Sequence, residues 1–312
     1  MIRRLLYFIG IVLSVVVIVS CGGGKSTEGA GCVINQQHGN IIGDEADLKV
    51  YIPEIPDSIV DPDKRLEYAV VHYWDQYSFS DKETAQDTIS LEQSFSNYIS
   101  LLDAVNESVK DKSVDRFVAK ALINNDETSQ LVDDVVRKYL DEPNSPMRNE
   151  DLFIVFLGNM VSSENVPEAI RLRAEYSLKQ AMKNRSGMKG ADFPVLTLSG
   201  ERTTFIKELK GDTTLVMFYD PDCEQCKEIS TQLSRTPLPE TLKIFAIDVA
   251  GDKSLWEKTK NLFPADWKVG YAEISLEDEG LYTFRALPTF YIFASDGKVI
   301  LKDPSPDMIL QK

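Results

Sequence analysis

The sequence predicts two folded domains in succession: an all-α domain, and then an α/β domain built on a mixed central sheet. A chain of 312 residues is long for one domain and sufficient for two. Apolar residues recur at helical spacing from about residue 61 onward. After residue 187 the pattern changes to short apolar strands that alternate with helices and end in a hairpin, which is typical of a mixed sheet.

Composition and charge restrict the classes of function. A hydrophobic content of 43% is sufficient for packed cores, and the acidic residues that give the net charge of −15 are spread along the chain. Such a surface repels phosphate backbones, so no nucleic-acid partner is expected. The predicted organisation is a signal peptide at 1–20, a tether and extended segment at 21–60, a helical domain at 61–187 and the α/β domain at 188–312.

The N-terminus has the parts of a secretory signal. Arg3 and Arg4 precede an apolar run, Leu5–Val19, of about 15 residues, which is shorter than the roughly 20 that span a bilayer. The sequence Ile18–Cys21 resembles the lipobox of bacterial lipoproteins. This resemblance implies that Cys21 carries lipid and that the chain is exported and anchored in the cell envelope, facing the periplasm. An uncleaved membrane anchor that ends in an incidental cysteine is the alternative.

The helical domain is predicted from periodicity. The segment at 36–61 has little helical period, and its prolines favour extended backbone. Asp61 and Pro62 then form an N-cap and first turn, and the proline-rich run at 142–146 separates two later helices. Helices after the first are predicted over Leu91–Val105, Val114–Ile123, Ser129–Leu140, Asp151–Met160 and Pro167–Met182.

In the α/β domain, β-branched and apolar runs predict the strands. These strands are Val195–Leu198, Arg202–Ile206, Thr213–Tyr219, Leu242–Val249 and Val269–Ala272, followed by a hairpin of Thr289–Ala294 and Lys298–Lys302. Helices are predicted from Cys223, over Leu255–Phe263 and Glu277–Arg285, and from Pro306 onward.

The chemistry is predicted to lie in the sequence Cys223-Glu224-Gln225-Cys226. A single C-x-x-C is ambiguous between metal binding and redox function, but this one follows a buried strand and opens a helix. A helix N-terminus stabilises the thiolate of the first cysteine, and the second can then attack a mixed disulfide. Cys32 and the two histidines supply no second pair of ligands, so neither a metal nor another cofactor is expected. A structural pair without redox function remains an alternative.

A second feature is Leu287-Pro288, directly before an apolar strand, where a cis bond is plausible because cis bonds are almost confined to X-Pro. With the C-x-x-C unit and the closing hairpin, it makes residues 192–312 resemble the thioredoxin superfamily, in particular its membrane-tethered, exported branch. The resemblance implies that Pro288 is cis and faces the cysteines, and that the backbone beside it, at Leu287, pairs with the substrate. An ordinary trans proline is the alternative.

The chain departs from the family in several positions. Asp222 replaces the tryptophan that usually precedes the first cysteine, and Glu224-Gln225 replaces Gly-Pro. Met217 replaces the buried acid of the preceding strand. Many tethered reductases carry a glutamate three residues after the second cysteine, where this chain has isoleucine. Glu228 lies one residue earlier, and the candidates for proton transfer are either water or Glu228.

Other departures bear on the type of reaction. Asp220 stands where peroxiredoxins need threonine, so peroxidase activity is not expected. Asp220, Asp222 and Glu224 surround the first cysteine with negative charge, which opposes thiolate formation, and Lys227 offsets only part of it. Gln225 lacks the positive charge that a histidine could supply. These residues favour a reductant or isomerase over a strong oxidant.

The helical domain resembles an uncharacterised module that precedes thioredoxin-like domains in some Gram-negative lipoproteins, and the segment 68–79 carries the likeness. Its aromatic residues are interpreted as core, and His72 as a packed core histidine. The sequence as a whole predicts a thiol–disulfide oxidoreductase that acts on exported protein thiols and disulfides and depends on an upstream electron donor. The alternative is a non-catalytic lipoprotein that binds a protein or peptide through its helical domain.

Overall fold

The computed structural model describes residues 53–81, 87–123, 127–209 and 211–310, which all belong to one compact unit. The predicted signal peptide, the lipidation site Cys21 and Cys32 lie outside the described residues. Within the described part, no helix is long and apolar enough to cross a membrane.

Six helices precede the sheet in the described part of the chain. Four begin after an Asp or Asn whose side chain accepts the backbone N–H three residues on, which satisfies a donor that the helix leaves free. The cap at Asn106 starts its helix at Glu107, well before the predicted Val114. The helices are α1 Pro62–Val71, α2 Thr88–Leu102, α3 Glu107–Ala121, α4 Glu127–Leu140, α5 Glu150–Ser162 and α6 Glu168–Ala181.

Aromatic side chains form the core of this helical region. Tyr73, Trp74, Tyr77 and Phe79 are all buried, which confirms the interpretation of this cluster as core. His72 is a correction. It is half-buried at the end of α1, where it stacks on a tyrosine ring and places Nδ1 2.7 Å from a carboxylate oxygen. The helix ends at the preceding residue, and the ring lies half-buried beside a carboxylate instead of being enclosed in the core.

The second part is a seven-stranded mixed sheet in the order β2-β1-β5-β4-β3-β6-β7. The three central strands β5, β4 and β3 are parallel, and the strands on either side pair antiparallel. The strands are β1 Pro194–Thr197, β2 Arg202–Thr204, β3 Thr213–Tyr219, β4 Leu242–Asp248, β5 Lys268–Ala272, β6 Thr289–Phe293 and β7 Val299–Lys302. The helices are α7 Phe205–Glu208, α8 Glu224–Arg235, α9 Lys253–Thr259 and α10 Pro306–Leu310.

Strand β3 is buried on both faces because its alternate residues enter two different cores. Val216 and Phe218 pack in one cluster, while Leu215, Met217 and Tyr219 pack in the other. The second cluster also contains Cys226 on α8. Burial on both faces fixes the position of the strand, and therefore of the loop that follows it.

Two predicted elements are wrong. Residues 277–285 form turns instead of a helix: Gly280 has a left-handed φ of 66°, and the N–H groups of the next two residues both donate to the Leu276 carbonyl. The strand predicted over Arg202–Ile206 ends at Thr204, where the one-turn helix α7 begins. The closing hairpin is confirmed, and Gly297 takes the left-handed φ of 83° in its turn.

Asn184 links the helical region to the sheet region. It has a φ of 49°, which asparagine tolerates better than most residues, and its side chain donates to the Leu281 carbonyl and accepts from the Ala191 N–H. Helix α6 ends just before it and β1 begins at Pro194. The boundary placed between residues 187 and 188 remains a prediction.

Candidate active site

The loop between β3 and α8 presents the first cysteine. The Asp220 carboxylate accepts the N–H of Asp222 at 2.7 Å, and the Asp220 carbonyl accepts the N–H of Cys223 at 3.1 Å. These two bonds fold the loop into a tight turn at the end of a buried strand. Cys223 consequently becomes the N-cap of α8.

Two polar groups contact the sulfur of Cys223, which is partly exposed. The backbone N–H of Cys226 donates to Sγ at 3.2 Å, as it would to an oxygen in an ordinary N-cap. On the other side, Sγ lies 3.6 Å from the carbonyl oxygen of Leu287, to which the thiol donates. A thiolate at this position keeps the N–H bond and the favourable end of the helix dipole.

Cys226 is only 1% exposed and packs beneath the first cysteine in the core that contains Met217 and Phe290. Burial raises the pKa of this thiol far above its usual value, and the hydrogen bond and charge of the adjacent Cys223 raise it further. The second sulfur is therefore held as a neutral thiol, which suits a group that reacts only after the first.

Strand β6 brings Leu287 and Pro288 to the cysteines. Thr289, the first residue of β6, pairs with Phe218 near the end of β3, so the residues just before β6 lie beside the loop that follows β3. The peptide bond between Leu287 and Pro288 is cis, as the sequence predicted, and Pro288 is buried. The Leu287 carbonyl is the group that reaches the cysteine sulfur.

The four polar residues predicted to modulate the pair all lie at the solvent-facing start of α8. Asp222, Gln225 and Glu228 are exposed, and Glu224 pairs with a lysine one turn along the helix at 2.7 Å. Glu228 accepts a hydrogen bond from the Gln232 side chain, and residues two apart on a helix do not face each other. The structure therefore does not bring Glu228 to the buried sulfur of Cys226.

Sequence reasoning missed a buried carboxyl group, Asp248, at the end of β4. It is fully buried and lies opposite Tyr219 in the register of the two parallel strands. One carboxyl oxygen accepts the Ala250 N–H at 2.9 Å; within the described residues, the other oxygen and the Tyr219 hydroxyl have no hydrogen-bond partner. Burial first, and then the carboxylates of Asp220 and Asp252, raise the pKa of Asp248 to about 7.

The available sequence signal for this site was Asp248 itself, an acidic residue that directly follows the apolar run Ile244–Ile247.

In the described part of the chain, no group of three or more His, Cys, Asp or Glu side chains is placed to hold a metal ion.

Comparison with known proteins gives matches to both parts of the chain. The family model described as Domain of unknown function (DUF5106) matches residues 25–184. A thioredoxin-like protein from Bacteroides caccae has a similar structure, with a TM-score of 0.73 and 29% identity; the match covers 83% of this chain and 96% of that one. No curated protein matches the sequence.

Two further solved structures resemble a smaller share of the chain. A conserved protein of unknown function from Bacteroides fragilis is 31% identical, with a TM-score of 0.38, over 40% of this chain and 96% of that one. The thioredoxin domain of a thiol-disulfide oxidoreductase from Bacteroides vulgatus is 17% identical, with a TM-score of 0.34, over 40% of this chain and 93% of that one.

Proposed function

Because the chain belongs to the family described as Domain of unknown function (DUF5106) and ends in a thioredoxin-like domain, we propose that it is a thiol–disulfide oxidoreductase. The redox pair is Cys223 and Cys226. The observation that carries the proposal is the environment of the Cys223 sulfur: it is partly exposed, at a helix N-terminus, and accepts the Cys226 N–H at 3.2 Å.

The reaction begins when the Cys223 thiolate attacks one sulfur of a substrate disulfide. That S–S bond breaks, a mixed disulfide forms, and the departing substrate sulfur takes a proton. Cys226 then loses its proton and attacks the Cys223 sulfur, which releases the second substrate thiol. The substrate gains two electrons and two protons, and the protein is left with a Cys223–Cys226 disulfide. An upstream dithiol donor must reduce this disulfide before the next cycle.

Acidic groups support a reducing or isomerising function. Strong oxidants stabilise their reduced form, chiefly through a very stable thiolate. Here Asp222 and Glu224 lie on either side of Cys223 in the chain, and the Leu287 carbonyl oxygen faces its sulfur. The two carboxylates and the carbonyl dipole place negative charge in this part of the site, and the pairing of Glu224 with Lys227 and screening by salt weaken their effect.

We also propose that the chain is held in the cell envelope through lipid on Cys21, facing the periplasm, where its substrates would be the thiols and disulfides of exported proteins. The order of basic residues, apolar run and cysteine supports this location. A Cys21→Ala variant should leave the membrane fraction. If it stays there, the lipid anchor is wrong.

Reduction of insulin tests the activity. The purified full-length protein, supplied with a dithiol donor, should reduce insulin disulfides, and Cys223→Ser should abolish this while keeping the thermal unfolding transition. Wild-type protein that folds and turns over no disulfide would favour the rival function, a non-catalytic binding protein. The buried aromatic cluster of the helical region gives that rival no docking face, because its four rings are core.

A further inference from the structure

A groove lies between the helical region and the sheet region and reaches the first turn of α8, the helix that carries Cys226. It has a volume of about 630 Å³, within the range of about 300–1,000 Å³ that is typical of ligand sites. Its walls come from the loop 143–146 of the helical region, the segment 301–308 after β7, and the side of α8 that carries Gln225 and Ile229. We call it the interdomain groove.

The interdomain groove reaches α8 at the residue before Cys226, although neither Cys223 nor Cys226 lines it. Gln225 lies between Cys223 and Cys226 in the chain, is exposed, and lines the groove. Ile229 follows it by four residues and therefore lies on the same side of the helix. A polypeptide whose disulfide is attacked at Cys223 would cross the exposed first turn of α8 at Gln225 to enter the groove.

Ion pairs between the two regions hold the walls of the groove. Arg148 pairs with Asp303, and Lys302 lies 2.9 Å from a carboxylate oxygen of Glu150 while donating to two backbone carbonyls at the end of the helical region. Their side chains are largely buried, so the walls are already formed before a ligand arrives. This geometry requires the helical region and the sheet region together.

The same pairs restrict the chemistry of the occupant. Arg148 and Lys302 are the basic residues in the lining, and each is neutralised by an acid. Among the described residues that line the groove, an anionic small molecule therefore finds no free cation. Four prolines line the groove and offer no N–H, whereas the Gln225 amide can both donate to and accept from a peptide group. These properties suit a neutral stretch of extended polypeptide.

We propose that the interdomain groove binds the polypeptide segment next to the reactive cysteine of a substrate protein, so that the helical region is part of the substrate site. The proposal rests on the proposed function and specifies its substrate class: disulfides within polypeptides, in preference to small disulfides. A small disulfide needs only the surroundings of Cys223 and does not extend into the groove.

The test compares two substrates in groove variants. Asn144→Trp and, on the opposite wall, Met308→Trp place an indole in the groove at exposed positions. The matched control is Glu201→Trp, an exposed position in the β1–β2 turn at the far edge of the sheet from β7. For each protein, kcat/KM is measured with insulin and with 2-hydroxyethyl disulfide, and their ratio is compared with that of the wild type.

Each groove variant should lower the insulin-to-small-disulfide ratio by about tenfold, mainly through KM for insulin, and the control should leave it unchanged. A ratio that stays at the wild-type value in both folded groove variants overturns the proposal that the groove binds the substrate polypeptide. If one variant does not fold, the other decides. Wild-type protein that reduces neither substrate overturns the proposed function itself, a different result from an unchanged ratio.

Discussion

At the scale of single residues, the two cysteines differ because only one of them meets solvent. Cys223 is partly exposed and bonded to a backbone N–H, whereas Cys226 is buried and its pKa is raised. The first is therefore the sulfur that a substrate can reach, and the second is the sulfur that can reach only Cys223. Different roles follow from different surroundings, although the side chains are chemically identical.

This difference predicts the result of a trapping experiment. Cys226→Ser should accumulate mixed disulfides between Cys223 and substrate proteins, because the resolving thiol is missing. Cys223→Ser should accumulate none, since the remaining thiol is buried. Non-reducing gels followed by mass spectrometry make the comparison. Trapping by Cys223→Ser alone would reverse the assignment of roles.

The raised pKa of Asp248 predicts that the stability of the protein depends on pH. Its pKa is about 7 in the folded protein and about 4 in an unfolded chain, so the folded state holds more protons between pH 4 and 7. The free energy of unfolding should therefore fall as the pH rises through this window and level off above it. Asp248→Asn should remove up to about 4 kcal/mol of that fall.

Urea unfolding of wild type and Asp248→Asn at about pH 4.5, 6 and 8 checks this pH dependence, because these values span the window over which the proton is lost. Asp278→Asn, at an exposed carboxyl group, is the matched control. A difference between wild type and Asp248→Asn that does not change with pH would mean that Asp248 is already ionised at pH 4.5.

The residues of the site were unequally predictable. The cysteine pair and Leu287-Pro288 are short motifs, contiguous in sequence, so a pattern shows them. Asp248 lies opposite Tyr219 because β3 and β4 pair in the sheet, although a helix separates the two strands in the chain. The pKa of Asp248 depends on its burial, which no local sequence pattern specifies. Glu228 lies one residue before the position that carries the glutamate in some relatives, and the helix turns it toward solvent.

At the scale of elements, most helices and strands follow from periodicity, and their ends follow from caps. The helix predicted over 277–285 shows where this fails. Its apolar residues have helical spacing, yet Gly280 leaves the helical region of φ, and Tyr282 packs against Phe218 and the other rings of the sheet core. Tertiary packing determines this segment, and a single sequence does not contain that contact.

Lys302, the last residue of β7, joins the sheet to the helical region. We therefore predict that its replacement lowers the stability of the protein. Lys302→Met leaves two backbone carbonyls without this donor and Glu150 with its longer pair to Arg285 at 3.6 Å, which should cost about 1–3 kcal/mol in the free energy of unfolding. Lys298→Met in the same hairpin removes an exposed pair and should cost less than about 1 kcal/mol.

Urea denaturation of both lysine variants gives the comparison. Equal and small losses would contradict the structural importance of the buried pair. A large loss in Lys302→Met alone would support it, and would show that the sheet and the helical region are coupled through this contact.

At the scale of the whole molecule, the helical region and the thioredoxin-like region form one compact unit instead of two independent bodies. The sequence predicts both regions, but it does not predict their contact, because the paired residues lie far apart in the chain, as with Arg148 and Asp303. That contact creates the interdomain groove, which borders the helix that carries Cys226. The proposed activity and its proposed substrate selectivity therefore arise from different parts of the same molecule.

The most direct test is a redox titration of the full-length protein in glutathione buffers, with the Cys223–Cys226 disulfide quantified by peptide mass mapping. We predict one two-electron transition, with a potential closer to about −270 mV than to the roughly −120 mV of a strong periplasmic oxidant. A pair that forms no disulfide at any buffer ratio, or one that titrates near −120 mV, would contradict a reductant built on these two cysteines.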